Sequence, residues 1–234
     1  MMEERGFATT VIGLIRWQME QVRPPRGLWT PFELGRPLGE PGDAAFQTRV
    51  LMQALRLLER TDGPVILEDF PDDPPNWTDT PDWQPPLTPA DPPGTEGEEL
   101  TRLEAEMARI APAWEQARRR FGRTTVGLSG LDPSQWPDFF AALLRGELPV
   151  SAMHNTTALA ARFLCDDLKA MYSEAAQAVG KAPSSRQIEN WFWRSTVAAR
   201  VLFAARRVAM ASDNNALKTV GGRFFVRTPF LPKD

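Results

Sequence analysis

The residues best suited to ligand chemistry near the start of the chain lie in a glycine- and proline-rich loop, residues 32–43, called the Gly/Pro loop below. Within it, Glu33 and Arg36 could hold an amine or a carboxylate. Gly35 and Gly39 can adopt positive φ angles or let a ligand approach the backbone closely. These four residues are the predicted substrate-binding residues. The alternative is a structural connection in which Glu33 and Arg36 form a local salt bridge.

The chain has one cysteine, Cys165, and one histidine, His154. One cysteine excludes an intrachain disulfide and a cysteine-rich metal site. One histidine argues against a histidine-based zinc site or a Ser-His-Asp triad within a single chain. We therefore predict no metal and no cofactor, and we assign no catalytic residue. Cys165 is expected to be a small buried hydrophobic residue, His154 a surface or capping residue, and Asp166 and Asp167 a solvated helix surface.

The Gly/Pro loop needs a strand before it and a helix after it. The hydrophobic pattern predicts strands at residues 7–12, 28–32 and 64–67, and helices at 14–23 and 44–60. Because helical crossovers join the strands, the sheet should be parallel, and the loop should lie at the carboxyl end of a strand, where open α/β sheets bind ligands. Three short strands form a thin sheet. Either the helical region covers it, or strands of a second chain extend it.

The remaining sequence predicts an acidic connector and a helical domain. Residues 71–93 contain nine Pro and five Asp but no Lys or Arg, which predicts a stiff, extended segment. Its Trp77 and Trp83 suggest that it packs along the protein body. Helices are predicted at residues 98–121, 133–145, 156–179 and 184–211, and residues 221–227 as a short strand or a packed extension. The predicted fold class is α/β plus α, with half of a doubly wound domain (1–70), the connector (71–95) and a helical bundle-like domain (96–234).

Two clusters in the helical part could be mistaken for functional sites. Arg118, Arg119, Arg120 and Arg123 are expected at a helix C-terminus, where cations suit the helix dipole; an anion site is the alternative. Residues 191–193, Trp-Phe-Trp, are expected to form core or interface packing. The net charge of -3 and the pI near 5.4 argue against nucleic-acid binding. The apolar runs are too short to span a bilayer and no signal peptide is evident, so a cytoplasmic protein is expected.

The first part of the chain resembles a known enzyme family. The resemblance rests on residues 3–12 (EERGFATTVI), on the loop Gly35-Arg36-Pro37-Leu38-Gly39-Glu40-Pro41, and on a following helix with Arg49-Val50-Leu51. The same order of strand, P-L-G-x-P loop and closing helix is found in the C-terminal segment of the selenoprotein B-type subunit of the glycine/sarcosine/betaine/D-proline reductases. The resemblance covers about residues 1–62. It implies a subunit of a reductase-like enzyme.

The chain also departs from this family. The selenocysteine- or cysteine-containing redox motif of the family lies N-terminal to the matched segment, and nothing here matches it. Cys165 lies outside the resemblance and cannot inherit that role. The resemblance therefore implies that a partner chain carries the redox Cys or Sec, or that the chain self-associates, and that the substrate is a small molecule. A non-catalytic scaffold or binding protein, and a self-sufficient enzyme using Cys165, are the alternatives.

Overall fold

The structure, a computed structural model, describes residues 2–32, 35–39, 42–73, 79–178 and 180–232. The chain divides into two compact units, Met1–Thr78 and Asp79–Asp234. Most of the described buried apolar residues belong to one of two clusters, one within each unit. The two units are therefore described separately.

A small parallel sheet forms the centre of the first unit. Its strands, in spatial order, are β1 (Val11–Gly13), β2 (Arg26–Trp29) and β3 (Ile66–Asp69). Helix α1 (Arg16–Val22) connects β1 to β2, and α2 (Ala44–Arg56), extended by a 3-10 turn (Leu57–Glu59), lies between β2 and β3. All pairings are parallel. The predicted combination of a small parallel sheet with helices is confirmed.

The two helices cover opposite faces of this sheet. On one face, Met19 of α1 lies over Gly13 and Gly27, and a Cβ atom at either glycine would overlap the Met19 side chain. On the other face, the fully buried Leu28 belongs to the same apolar cluster as Val50 of α2. Because successive strand residues point to opposite faces, the neighbours Gly27 and Leu28 place the two helices on different sides.

β1 and β3 begin later in the sequence than the hydrophobic pattern predicts. The N–H and the hydroxyl of Thr9 donate to Glu3 Oε1 (2.6 and 2.8 Å), and Arg26 donates to the same oxygen (3.0 Å). These hydrogen bonds hold the segment before Val11 outside the ladder. β3 begins at Ile66, two residues after Pro64, because proline has no N–H to donate to a ladder.

Helices form most of the second unit. Its described residues contain α3 (Glu96–Phe121), α4 (Trp136–Leu144), α5 (Thr157–Ala176), α6 (Ser185–Ser195), α7 (Val197–Ala211) and α8 (Asn215–Val220). Capping boxes begin α3 at Thr95 and α6 at Ser184. The largest fully buried side chains include Trp136, Tyr172 and Phe140. The predicted helical domain is confirmed.

The single helix predicted at residues 184–211 is wrong. Thr196 is extended (φ -111°, ψ 151°) and separates α6 from α7. Its hydroxyl accepts from Ala199 N–H (3.1 Å) and donates to the Phe192 carbonyl (2.7 Å). A threonine that caps the second helix therefore ends the first, and continuous apolar periodicity hides the break.

The second half of the predicted connector packs on the helical unit. Thr80 N–H donates to Gln187 Oε1 (2.8 Å), and Ala90 N–H donates to the Ser195 carbonyl (2.8 Å). The Trp83 ring lies 6.3 Å from that of Trp191, edge to face. Leu87 is buried in the core of the unit. Trp77, the other expected anchor, lies outside the described residues.

The C-terminal segment is a packed extension and not a strand. Residues Gly221–Phe225 form a π-helical turn, and Phe225 and Val226 are buried. Phe230 stacks on Trp193, with ring centroids 5.7 Å apart. Within the described part of the chain, no helix is both long enough and apolar enough to cross a lipid bilayer.

Candidate functional site

The carboxyl ends of the three parallel strands bring together groups that are far apart in sequence. Arg16 follows β1 and Asp69 ends β3, and Arg16 Nε lies 3.1 Å from Asp69 Oδ1. Arg16 also pairs with Glu20 on α1. The Gly/Pro loop follows β2, the strand between them. Sequence reasoning missed the Arg16–Asp69 pair because its members are 53 residues apart, and only the acidic end of β3 was visible as a signal.

The predicted substrate-binding residues have different structural settings. Gly35 and Gly39 adopt positive φ angles of 93° and 88°, as predicted. Gly39 is buried beneath the Phe46 ring, which leaves no space for a Cβ atom, and its N–H donates to the Arg36 carbonyl (3.0 Å). Arg36 itself is half-buried. Glu33 lies outside the described residues, so the local Glu33–Arg36 salt bridge stays a prediction.

A cluster of three phenylalanines packs at the two ends of the Gly/Pro loop. Phe32, Phe46 and Phe70 lie with ring centroids 5.5–5.7 Å apart in tilted or edge-to-face arrangements, which are favourable geometries for aromatic pairs. The Arg49 guanidinium lies over Phe46 (5.2 Å) and Phe70 (5.8 Å) and pairs with Asp72. The cluster anchors both ends of the loop, since Phe32 is its first residue and Phe46 lies in the helix after it.

A buried hydroxyl lies at the end of β2. Thr30 is fully buried, and its N–H donates to the Gly13 carbonyl (3.0 Å). Its Oγ1 has no hydrogen-bond partner in the structure as described. Buried polar groups without a partner are uncommon and call for an explanation. Sequence reasoning did not single out this residue.

The first unit offers polar and charged side chains but no cysteine or histidine. Residues 1–78 contain neither cysteine nor histidine, so the sheet edge offers carboxylates, guanidiniums and a hydroxyl. Among the described residues of the whole chain, no three His, Cys, Asp or Glu side chains are arranged to hold a metal ion.

The single cysteine and histidine both belong to the second unit. Cys165 is fully buried on α5, and burial raises the pKa of its thiol far above the ordinary value. It is therefore the buried residue that the sequence predicted. His154 is half-buried, stacks on Phe163 (4.6 Å between ring centroids) and donates from Nε2 to the Leu128 carbonyl (2.7 Å). Its contacts connect two loops to the start of α5.

The prediction that Asp166 and Asp167 form a solvated helix surface is half wrong. Asp166 is half-buried and pairs with Lys169 (2.8 Å). Asp167 is fully buried: its carboxylate accepts the N–H groups of residues 127, 128 and 129 (2.9 Å each) and the Ser129 hydroxyl (2.6 Å). Four hydrogen bonds compensate the burial of this charge, and they fix the loop after α3.

A second buried carboxylate, Glu106 of α3, was also missed. It accepts the N–H groups of Val197 (2.9 Å) and Ala198 (3.0 Å), the first residues of α7, and the Tyr172 hydroxyl (2.9 Å). Burial and the adjacent Glu106 charge raise the pKa of Tyr172 well above its usual range. The carboxylate satisfies N–H groups that the helix itself leaves unpaired, so its role is structural.

A third carboxylate, Glu174, holds the segment after α3. It accepts from Trp114 Nε1 (2.8 Å), from the Thr124 hydroxyl (2.7 Å), and from the N–H and hydroxyl of Thr125 (2.7 and 2.9 Å). Burial raises the pKa of Glu174, but these hydrogen bonds outweigh burial and leave the pKa lowered.

The two remaining clusters behave as the sequence predicted. Arg118, Arg119 and Arg120 occupy the last turn of α3, before its Gly122 cap. Arg120 Nη1 donates to the carbonyls of residues 177 and 178 (3.3 Å each), just past the end of α5. Residues 191–193 are buried in the core. Arg120 therefore satisfies carbonyls near a helix end, and the Trp-Phe-Trp run packs internally.

The second unit contains a cleft between α3, α4 and α7, called the α3–α7 cleft below. Its volume is about 230 Å³, and it is lined mainly by Pro93, Leu144, Val201, Phe203, Glu99 and Arg200, with Arg207 at its margin. Arg200 Nε donates to Glu99 Oε2 (2.6 Å). Sequence reasoning did not identify this cleft, because its walls come from segments about 100 residues apart.

Comparison with protein-family models, with curated proteins and with solved structures found no match to this chain.

Proposed function

We propose that the chain is a subunit of a reductase-like enzyme related to the glycine/D-proline reductases. In this proposal the Gly/Pro loop lines one wall of an active site, and a partner chain, or a second copy, completes it. The redox Cys or Sec then lies on a different protein. The observation that carries the proposal is the carboxyl edge of the sheet, where the loop is supported by the phenylalanine cluster and flanked by the Arg16–Asp69 pair, in a unit without cysteine or histidine.

The substrate class follows from the charged groups at this edge. Arg36 provides a guanidinium for a carboxylate, and Glu33 provides a carboxylate for an amine. The substrate is therefore a small molecule that bears an amino or carboxyl group. The thiol or selenol of the partner would supply the electrons. The residues of this chain would bind and orient the substrate, and they are not assigned a catalytic role.

Exposed apolar side chains near β1 support a docked second chain. Trp17 and Val22 of α1 are each 68% exposed, and Val11 and Ile15 are also exposed. β1 is an outer strand in the order β1-β2-β3. An outer strand presents unpaired N–H and C=O groups that a strand from another chain can pair with. Pairing there would both extend the thin sheet and cover these side chains.

Co-expression tests the subunit proposal directly. The chain is produced alone and together with the protein encoded next to it, and complexes are isolated through a tag on this chain. We expect a stoichiometric complex, and we expect Trp17→Glu to weaken it. A stable monomer with no affinity for that protein or for itself would contradict the proposal.

Loop variants test the substrate role. In the assembled complex, Glu33→Gln and Arg36→Gln should each raise the KM for the substrate that the enzyme reduces. Each variant removes one charge-assisted contact, worth roughly 1.5–3 kcal/mol, which corresponds to about 10–100-fold in KM. Arg56→Gln, at an exposed position of α2, is the matched control and should change nothing. Unchanged kinetics in both loop variants would show that the loop does not bind the substrate.

A non-catalytic binding protein is the second candidate, and the α3–α7 cleft favours it. In that case the Glu33 and Arg36 variants have no effect, and ligand binding belongs to the helical unit. A self-sufficient enzyme using Cys165 is the third alternative. Burial of the thiol disfavours it, and Cys165→Ser should leave any activity unchanged.

A further inference from the structure

We propose that the α3–α7 cleft binds a small aliphatic carboxylate. The lining residues belong to the second unit alone, so this inference goes beyond the reductase-like role and does not depend on it. Three features of the cleft carry it: its size, its apolar walls and the state of its charged groups.

The size and the walls restrict the ligand to a small molecule with an apolar body. The volume of about 230 Å³ is below the range of roughly 300–1,000 Å³ found for drug-sized ligands. Leu144, Val201, Phe203 and Ala204 contribute apolar walls. Such walls favour an aliphatic chain and disfavour a fully hydrated ion such as inorganic phosphate.

The inner carboxylate of the cleft already has its hydrogen bonds. Glu99 Oε1 accepts from Gly94 N–H (2.9 Å) and from Arg102 (3.0 Å), and Oε2 accepts from Arg200 Nε (2.6 Å). Burial raises the pKa of Glu99, but these hydrogen bonds and the nearby arginines outweigh burial and lower it. Glu99 therefore stays ionised and pairs with Arg200 through Nε. Because the Glu99 carboxylate already accepts these hydrogen bonds, it is a poor acceptor for a ligand amine.

Arg200 retains a donor without an acceptor. Its Nη2 is buried and has no hydrogen-bond partner within the described structure. A donor removed from water without a partner is costly, and a carboxylate oxygen would satisfy it. The long arginine side chain can turn its guanidinium toward a ligand, and a hydrogen bond formed at such a site meets little competition from water.

A second guanidinium lies on the same face of α7. Arg200, Ala204 and Arg207 are spaced i, i+4 and i+7, so they share one side of the helix. Arg207 is 68% exposed and lies 4.0 Å from Glu96, which is a loose pairing. Glu96 and Glu99 also line the cleft, so its two carboxylates balance the two guanidiniums. The unpartnered Nη2 of Arg200 is therefore the group that favours an anion over an amine of the same shape.

Binding of sodium hexanoate to the full chain tests this inference. Calorimetry or ligand-observed NMR should show saturable binding with Kd near or below about 1 mM. Equal concentrations of hexylamine, 1-hexanol and inorganic phosphate serve as matched probes and should each bind at least about tenfold more weakly, since one lost charged hydrogen bond corresponds to about that factor.

Three variants locate the site. Arg200→Gln should weaken hexanoate binding at least about tenfold and Arg207→Gln several-fold, and Ala204→Leu should abolish binding by filling the cleft. Arg118→Gln, which removes an exposed arginine paired with Glu115 elsewhere on α3, is the control and should bind as the unmodified chain does. If Arg200→Gln fails to fold, Arg207→Gln and Ala204→Leu decide.

Several outcomes would overturn the inference. These are no hexanoate binding, equal binding of hexylamine or 1-hexanol, binding of phosphate alone, and hexanoate binding that survives Ala204→Leu and Arg207→Gln. None of them bears on the reductase-like proposal, because that proposal is measured by complex formation and by the loop variants of the first unit.

Discussion

Several residues of this chain act through hydrogen bonds that their burial makes necessary. Asp167, Glu106 and Glu174 each accept three or more hydrogen bonds, and each accepts at least one backbone N–H group of a loop or of a helix start. By contrast, the buried hydroxyl of Thr30 has no hydrogen-bond partner among the described residues. Polar residues inside the fold are therefore of two kinds, those whose polar groups have hydrogen-bond partners and those whose polar groups have none among the described residues. Substitutions distinguish these two kinds because they remove a satisfied group in one case and an unsatisfied group in the other.

Thr30 provides the first prediction. Thr30→Val keeps the shape of the side chain and removes a buried hydroxyl without a partner, so it should stabilise the first unit by about 1 kcal/mol. The free energy of unfolding from urea titration is the measurement. Thr9→Val is the contrasting control: it removes a hydroxyl that donates to Glu3 and should destabilise. A loss of stability in Thr30→Val would indicate an unseen partner for the hydroxyl.

Glu174 provides a prediction for pH. Its folded pKa is lowered from 4.5, so its contribution to stability is present above pH 4.5 and is lost as the pH falls through the folded value. Glu174→Gln should therefore destabilise by about 1–3 kcal/mol at pH 7, with a smaller difference from the unmodified chain below pH 4. Urea titrations at several pH values check this. Glu104→Gln, at an exposed position, is the control, and a difference independent of pH would contradict the assignment.

At the scale of elements, α7 begins where Thr196 and Glu106 supply its cap. Glu106 satisfies the N–H groups of Val197 and Ala198, while Thr196 satisfies that of Ala199. Two capping groups from different parts of the chain therefore stabilise one helix start inside the core. This arrangement explains how a helix break can persist within a long apolar sequence.

The contacts of Glu106 with the start of α7 predict that two glutamates of α3 contribute very differently to the free energy of unfolding. Glu106→Ala leaves two backbone N–H groups and the Tyr172 hydroxyl unpaired in the core, and it should cost at least about 3 kcal/mol. Glu104→Ala, two residues earlier and exposed, should change stability by less than about 0.5 kcal/mol. Thermal unfolding followed by circular dichroism gives both values. Similar values for the two variants would rule out the structural role of Glu106.

The close packing of α1 on the sheet predicts that substitutions at Gly27 and Met19 have non-additive effects on the free energy of unfolding. Gly27→Ala should destabilise the first unit by about 1–3 kcal/mol, because the new methyl group overlaps Met19. In the double variant with Met19→Ala, the methyl group has space, so the cost should be less than the sum of the two single variants. Chemical unfolding of all four proteins completes the cycle, and simple additivity would show that the two residues do not interact.

At the scale of the whole molecule, the two units have separate cores of unequal size. Among the residues that the structure describes, the cluster of the first unit contains seven buried apolar residues between residues 28 and 70, whereas that of the second contains thirty between residues 87 and 226. Small cores stabilise weakly. The first unit, with its exposed apolar side chains near β1, is therefore the part of the chain that gains most from a partner.

This inequality predicts how fragments behave. A fragment of residues 79–234 should fold alone and unfold cooperatively at a temperature within about 4 °C of the helical transition of the full chain, since a change of 1 kcal/mol moves Tm by roughly 2–4 °C at this size. A fragment of residues 1–78 should be less stable and should gain stability from the proposed partner. Calorimetry of both fragments checks this. A disordered 79–234 fragment would show that its core depends on the first unit.

Local patterns in the sequence were sufficient for the class of fold and for most helix boundaries. Apolar spacing predicted the helix at residues 98–121 within two residues of α3, because that spacing depends on neighbouring residues. Short apolar runs predicted three strands, and the helices between them predicted that the strands are parallel. The positive φ angles of Gly35 and Gly39 followed in the same way from residue type. The burial of Cys165 and of residues 191–193 also followed from composition and periodicity.

Only the tertiary structure decided the contacts between distant residues. Arg16 with Asp69, Glu106 with the start of α7, Asp167 with the loop after α3, and Glu99 with Arg200 join residues 38 to 101 positions apart. No local sequence pattern distinguishes these charged residues from solvent-exposed ones. A charged side chain can be buried when hydrogen-bond donors from distant parts of the chain compensate the loss of water. The amino-acid sequence by itself therefore determined most of the helices and strands, but not the break at Thr196, which depends on contacts made only in the folded chain. The tertiary structure determined which polar groups meet, and with them the candidate binding sites.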